Sequence, residues 1–227
     1  MNKPLENIGA CVFDAYGTLF DVASAAARCK DDLGDQWEPL SELWRMKQLN
    51  YSWLRSLMGE YRDFWQITSD ALDYAMESLG IDDNALRGKL MNLYGTLDAY
   101  PEVPAMLEKL RAGGLKTAIL SNGSMHMLNL AVECAKLGES FDDVISVDEL
   151  QIYKPHPSVY QLAVDALSLP ADRICFMSSN AWDVAGAANF GFKVNWVNRF
   201  GQATERLPGE PANEIKALDE LPALLGI

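Results

Sequence analysis

The sequence predicts an α/β fold: a parallel sheet flanked by helices, with a wholly helical segment inserted after the first strand. Three observations carry this. Short apolar runs alternate with helix-like segments of about ten residues, the signature of βαβ units. Residues 20–99 contain no such run and show aromatic-rich helical periodicity instead. Several apolar runs stop abruptly at Asp, Ser, Asn or Gly, residues that take a strand into a turn. The length of 227 residues fits one core plus a smaller unit, against about 150 residues per domain.

The first strand is expected at 10–13, breaking into Asp14-Ala15-Tyr16-Gly17-Thr18. Four helices then fit 22–33, 40–58, 64–79 and 84–94, after which Tyr100-Pro101 returns the chain to the α/β part. A helix at 103–112 leads to a strand at 116–120 ending in Ser121-Asn122-Gly123. A helix at 125–136, a strand at 143–147 and a helix at 158–167 follow. The strand at 173–177 ends in Ser178-Ser179-Asn180, and a helix at 182–190 precedes a fifth strand at 193–197. Residues 201–211 read as a surface loop and 218–225 as the last helix. The partition is a Rossmann-like core of residues 1–19 and 100–227, with a helical insert at 20–99.

Nineteen basic against 32 acidic side chains give a charge of −13. That argues against nucleic acid as a partner, since nothing here replaces phosphate counterions. It also means that an anionic substrate must be caught by a few cations inside a cleft, within a Debye length of about 8 Å. A hydrophobic content of 49% with 22% charged residues excludes disorder. No apolar run approaches the roughly 20 residues of a membrane span, and residues 1–8 lack the pattern of a secretory signal. Cys11, Cys29, Cys134 and Cys175 are scattered without CxxC spacing, so free thiols and a cytoplasmic location are expected.

Open α/β sheets bind ligands beyond the carboxyl ends of their strands. The strand ends here deliver Asp14 and Gly17-Thr18, then Ser121-Asn122, then Lys154-Pro155, then Ser178, Asn180 and Asp183. Ser121 or Asn122 alone reads as a turn or helix-cap residue. Asp14 does not: an acid directly after an apolar strand and before Gly-Thr is badly placed unless it faces a cleft.

Cys11-Val12-Phe13-Asp14-Ala15-Tyr16-Gly17-Thr18-Leu19 resembles the first motif of the haloacid dehalogenase superfamily. Leu120-Ser121-Asn122-Gly123 resembles its second, Lys154-Pro155 its third, and Ser178-Ser179-Asn180-Ala181-Trp182-Asp183 its fourth. The helical insert is similar to the family's cap, and the likeness spans nearly the whole chain. The phosphatases of the superfamily carry a second Asp two positions after the nucleophile, where this chain has Tyr16. A tyrosine of pKa near 10 is a poor acid for a leaving alkoxide at neutral pH. Asn180 and the single acid Asp183 also deplete the carboxylates that magnesium prefers, so no metal and no cofactor are expected. These departures, with Leu43-Trp44-Arg45-Met46-Lys47-Gln48-Leu49 in the insert, resemble the L-2-haloacid dehalogenase branch.

That resemblance implies hydrolysis of a small 2-haloacid to a 2-hydroxy acid of inverted configuration. Asp14 is the implied nucleophile at C2, forming an ester that water then opens. Lys154 would orient Asp14 and keep it ionised, and Asp183 would position the water. Arg45 would receive the halide with Asn180 and Tyr16 beside it, its guanidinium remaining charged at any working pH. Ser121 and backbone N–H groups near Tyr16 and Asn122 would hold the substrate carboxylate, with Thr18 and Ser178 supporting Asp14. Leu49, Phe64, Trp182 and Tyr16 would line the alkyl space, although each serves equally well as core. Tyr160 joins the expected substrate contacts. Met46 stands where the branch often has glutamine, and a thioether cannot donate a hydrogen bond. His156 reads as a helix-start residue rather than a base. The apolar helix at 40–58 has Trp44, Trp53, Leu54, Leu57 and Met58 on more than one face, so cap packing and a homodimer contact both fit. Two alternatives remain: a phosphatase of the same superfamily, or a non-catalytic binding protein that kept the fold.

Overall fold

The computed structural model describes residues 3–227. Six strands form one sheet: β1 (Ala10–Phe13), β2 (Lys116–Ser121), β3 (Asp143–Ser146), β4 (Ile174–Ser178), β5 (Lys193–Val197) and β6 (Asn213–Ile215). The order is β3-β2-β1-β4-β5-β6 and every pairing is parallel. β1 sits in the middle with all four residues buried, as a strand covered by helices on both faces must be. The chain winds outward from β1 in one direction through β2 and β3, then in the other through β4 to β6. The reversal falls at the β1–β4 pair, and the carboxyl ends of these two strands flank the crevice of a doubly wound sheet.

Helices α1 (Ser24–Ala27), α2 (Lys30–Leu33), α3 (Trp37–Met58), α4 (Phe64–Ser78) and α5 (Asn84–Gly95) lie between β1 and α6 (Val103–Ala112). Caps start several of them where the sequence does. Asp63 accepts the N–H groups of Trp65 and Gln66, and Asp83 those of Ala85 and Leu86. Ser124 accepts from Met127 at the start of α7 (Met125–Cys134); each such cap is worth about 1 kcal/mol. Gly59, left-handed at φ +71°, ends α3. The helical segment leaves and rejoins the sheet region at one place, where Phe20 bridges Ala99 and the Tyr100 N–H donates to Leu19. It also leans on the sheet region through Tyr61, which stacks on Tyr153 and donates to Asp148 at 2.6 Å.

Three expectations need correction. The helix at 22–33 is two short helices, because Cys29 leaves helical geometry (φ −104°, ψ 17°) and its buried side chain joins the core. The last helix is a 3₁₀ turn, Leu218–Glu220, followed by α10 (Leu221–Leu224), with Pro222 at the joint, where its missing N–H costs nothing. β6 falls in a stretch given no strand; Asn213 secures it by donating to Asn195 and to the Lys3 carbonyl, and by accepting the Lys3 N–H. All four cysteines are free, with Cys134 exposed. Among the described residues no helix is long and apolar enough to cross a membrane.

Candidate active site

Asp14 leaves β1 at the crevice, its own N–H bonded to the Met177 carbonyl of β4. Gly17 turns the chain sharply at φ +91°, with Ser179 only 3.2 Å from where a Cβ would stand. That turn brings Thr18 back so that its hydroxyl donates to Asp14 Oδ2 at 3.1 Å. Asn180 Nδ2 donates to the same oxygen at 2.8 Å, and the Ser178 hydroxyl makes a longer contact at 3.5 Å. Thr18 in turn accepts the Ser179 N–H, and Ser178 accepts the Asn180 N–H. The turn after β1 is thus stitched to the turn after β4.

Lys154 is wholly buried, and its ammonium bridges Asp14 Oδ1 at 3.2 Å and Asp183 Oδ2 at 2.9 Å. Its own N–H is fixed by Asn122 Oδ1 at 2.9 Å, so Asn122 positions the lysine from the end of β2. Asp183, in the first turn of α9 (Ala181–Phe190), takes a second donor at Oδ1, the Tyr160 hydroxyl at 2.8 Å. Tyr160 lies on α8 (Pro157–Leu167) and reaches Asp183 across Gly186, where a Cβ would stand 2.6 Å from Pro155 and press on the tyrosine hydroxyl. Complete burial pushes the Asp183 carboxyl up to about 6, against the pull of Lys154. Burial alone would lower the lysine, but the two carboxylates outweigh it and raise its pKa. Both directions arise in one dry site: burial disfavours the Asp183 carboxylate, while the neighbouring carboxylates favour the Lys154 ammonium.

Arg45 approaches from the opposite side, on α3. Its Nη2 donates to Asn180 Oδ1 at 3.1 Å and lies 3.5 Å from the Tyr16 carbonyl. Its Nη1 donates to Gln48 Oε1 at 2.7 Å. Beside it opens a cavity of about 400 Å³ whose walls include Arg45, Leu49, Tyr100, Asn180, Trp182 and Phe200. Leu49 and Trp182 therefore meet Arg45 at one opening.

The remaining sequence-derived residues sort differently. The Tyr16 ring is buried between Tyr94, Phe64 and Phe20, and burial raises its pKa well above the ordinary value. Phe64 is buried between Tyr16 and Tyr153, behind the cleft. Ser121 is buried at the end of β2, its hydroxyl oxygen accepting the Gly123 N–H. Tyr160 lies behind Asp183, in an aromatic cluster with Phe176, Phe190 and Phe192. Met46 is half exposed on α3, one residue round the helix from Arg45, and does not join the cluster. His156 caps α8.

Sequence reasoning passed over Gln48, Thr68 and Tyr94, which hold Arg45 from behind, and Arg199, which donates to the Thr18 carbonyl and pairs with Glu102. Arg45 and Gln48 are three residues apart on one helix, a spacing that places side chains together, so the first of these carried a signal. A magnesium ion does not fit this donor set. Asp14 Oδ1 and Asp183 Oδ2 already face the lysine ammonium, and Asp14 Oδ2 faces N–H and O–H donors, whereas a hard cation needs those lone pairs free.

Residues 8–191 match the family model of haloacid dehalogenase-like hydrolases. (S)-2-haloacid dehalogenase 1 of Pseudomonas sp. strain CBS-3 is 48% identical, over 97% of this chain and 98% of its own. (S)-2-haloacid dehalogenase 4A of Burkholderia cepacia is 46% identical, over 97% and 96%. The solved L-2-haloacid dehalogenase of Xanthobacter autotrophicus with chloropropionic acid covalently bound superposes with a TM-score of 0.90 at 40% identity, covering 96% of this chain and 98% of its own. The family match over most of the chain and full-length identities near one half agree with the strand-end cluster: this chain belongs to the haloacid dehalogenase-like hydrolases, in their L-2-haloacid dehalogenase branch.

Proposed function

We propose that this protein hydrolyses L-2-haloalkanoic acids to D-2-hydroxy acids and halide. The observation that carries the reading is the pairing of a buried, lysine-held Asp14 with a guanidinium that reaches the same Asn180 amide from the cap side. A nucleophile and a leaving-group acceptor are thus joined through one side chain at a single cleft, and displacement at carbon needs both groups. The relatives named above, two of them (S)-2-haloacid dehalogenases, support it.

Asp14 Oδ2 carries three donors and Oδ1 only Lys154, which makes Oδ1 the freer oxygen to attack. The Oδ1–C2 bond forms as the carbon–halogen bond breaks, and the bonding pair leaves with the halide toward Arg45 and Asn180. Configuration at C2 inverts. Ser121, whose hydroxyl hydrogen is free of its bond with Gly123, and nearby backbone N–H groups hold the substrate carboxylate. Leu49 and Trp182 border its alkyl group. Water then adds to the Asp14 carbonyl carbon, giving its proton to Asp183. Charge develops on Oδ2, where Thr18, Asn180 and Ser178 already point; such donors need no reorganisation. The Cγ–Oδ1 bond breaks, the proton on Asp183 passes to the departing alkoxide, the water oxygen stays on Asp14, and the second water proton is released to solvent, which restores the Asp14 carboxylate. Tyr160 acts through Asp183 rather than on the substrate.

We read residues 20–99 as a cap over a core of 1–19 and 100–227, because the cleft lies between them and Arg45 comes from the former. The exposed Leu54, Leu57 and Met58 near the end of α3 suit a homodimer contact, and the cysteine usage suits the cytoplasm. The deciding test is halide release from L- and D-2-chloropropionate in excess chelator, with chiral analysis of the lactate. Release from the L acid alone, giving D-lactate, is expected. Silence toward both, with magnesium-dependent phosphate release from a generic ester, would overturn the reading in favour of a phosphatase.

A further inference from the structure

Behind Arg45 runs a closed chain of buried polar groups that the reaction itself does not use. Gln48 Oε1 accepts from Arg45 Nη1 at 2.7 Å. Gln48 Nε2 donates to Thr68 Oγ1 at 2.6 Å and to the Tyr94 hydroxyl at 3.0 Å. The Thr68 hydroxyl passes its hydrogen to the Phe64 carbonyl at 2.6 Å, and the Thr68 carbonyl accepts the Trp44 indole N–H at 2.8 Å. Gln48 and Thr68 are buried, and Tyr94 stacks on Tyr16 at 5.8 Å between centroids. An arginine only donates, so Gln48 must present its oxygen to Arg45 and its nitrogen to Thr68. One orientation satisfies every member.

We infer that Gln48 is a positioning residue for the leaving group: it fixes the plane of the Arg45 guanidinium while leaving that group its full charge. The inference rests on the dehalogenase reading and deepens it. A carboxylate at 48 would hold Arg45 as firmly but would neutralise it, whereas a neutral amide does not. With Nη1 tied to Gln48 and Nη2 to Asn180, the guanidinium plane is set from two sides, and its remaining N–H groups are aimed before a halide departs. Such preorganisation stabilises charge that appears only in the transition state. Its value is larger for chloride than for bromide, because the poorer leaving group depends more on help as the bond breaks.

The test compares kcat/KM for L-2-chloropropionate and L-2-bromopropionate in the wild type, Gln48→Met and Gln48→Glu. kcat/KM covers events up to the first irreversible step, ester formation, so it reports halide departure even where ester hydrolysis limits kcat. Gln48→Met is expected to lower kcat/KM for the chloro acid by about tenfold or more, the worth of a hydrogen bond to a charged group. The loss for the bromo acid is expected to be smaller, so the bromo-to-chloro ratio rises, and it rises further in Gln48→Glu. A purely structural role lowers both rates together and leaves the ratio unchanged; that result overturns the proposal. Thr68→Val removes the acceptor behind Gln48 without touching Arg45, and it decides the matter in the same way if the Gln48 variants do not fold. A wild type inert toward both acids would overturn the dehalogenase reading and this inference with it; an active wild type with an unchanged variant ratio overturns only the inference.

Discussion

The two sides of the cleft are held by different means. On the sheet side, Asp14, Ser121, Ser178 and Asp183 stand on strand ends or the first turn after them, and Lys154 is pinned to the β2 end by Asn122. Ser121 and Ser178 each bond to backbone two residues on, and Thr18 bonds to the backbone of the turn after β4. On the helical side, Arg45 stands mid-way along a 22-residue helix, and its head is steered by side chains from two further helices. Backbone geometry places the first set. Side-chain packing between helices places the second. The comparison implies that the sheet side tolerates no substitution of its charged groups, while the helical side can be tuned in steps.

The largest effect is expected at Asp14. Asp14→Asn keeps the shape and most hydrogen bonds but removes the attacking oxygen, so turnover should fall on the order of 10⁴-fold or more, with the far-ultraviolet circular dichroism unchanged. Turnover that persists while mass spectrometry shows the asparagine intact would remove Asp14 as nucleophile. Lys154→Met comes next, and it should damage stability as well as rate. It leaves two buried carboxylates without their cation, a loss of about 3–5 kcal/mol. For a chain of this size that is a fall of roughly 6–20 °C in Tm, read by calorimetry. A Tm near that of the wild type would mean that the trio is not buried together in solution.

The legibility of the sequence follows the same division. Asp14 was readable because it directly follows an apolar strand, which leaves an acid nowhere to go but the crevice; Lys154 and Asp183, farther from their strands, were legible through the likeness of their motifs to the superfamily's third and fourth. The four helices of the insert were readable in outline, since caps such as Asp63 and Asp83 are local. Gln48 was not singled out, because its partners Thr68 and Tyr94 lie 20 and 46 residues away and periodicity carries no information about such contacts. β6 was invisible for a related reason: three residues, one of them an exposed glutamate, cannot establish an alternation. Tyr160 was expected against the substrate and is found behind Asp183, since a helix face does not say how deep its target sits.

A moderate effect is expected from pH. In the proposed mechanism Asp183 acts as a base only when ionised, so ester hydrolysis should decline as pH falls through about 6, roughly tenfold per unit below it. The Tyr160 hydroxyl donates to the charged form and holds the value down. Tyr160→Phe should therefore move the inflection upward by about one unit, the equivalent of a hydrogen bond to a charged group. Stopped-flow measurement of ester breakdown across pH 5–8 would show it. An inflection that stays in place would assign the titration to another group and free Tyr160 for a packing role alone.

The smallest effect is expected at Met46, and it sharpens the comparison most closely. Met46 directly follows Arg45, in the position where the branch often carries a glutamine that could donate a hydrogen bond near the halide. Successive residues on a helix diverge by about 100°, however, and here Arg45 turns inward to Asn180 while Met46 is 49% exposed. The polar contact that a glutamine at 46 could offer is already supplied to Arg45 by Gln48, from the inward face three residues on. Met46→Gln should thus leave kcat/KM for both chloro and bromo acids within about twofold, the range of an ordinary surface substitution. A larger change, above all one that differs between the two halogens, would mean that α3 rotates when substrate binds. The helical side would then be a moving part rather than a pre-set one.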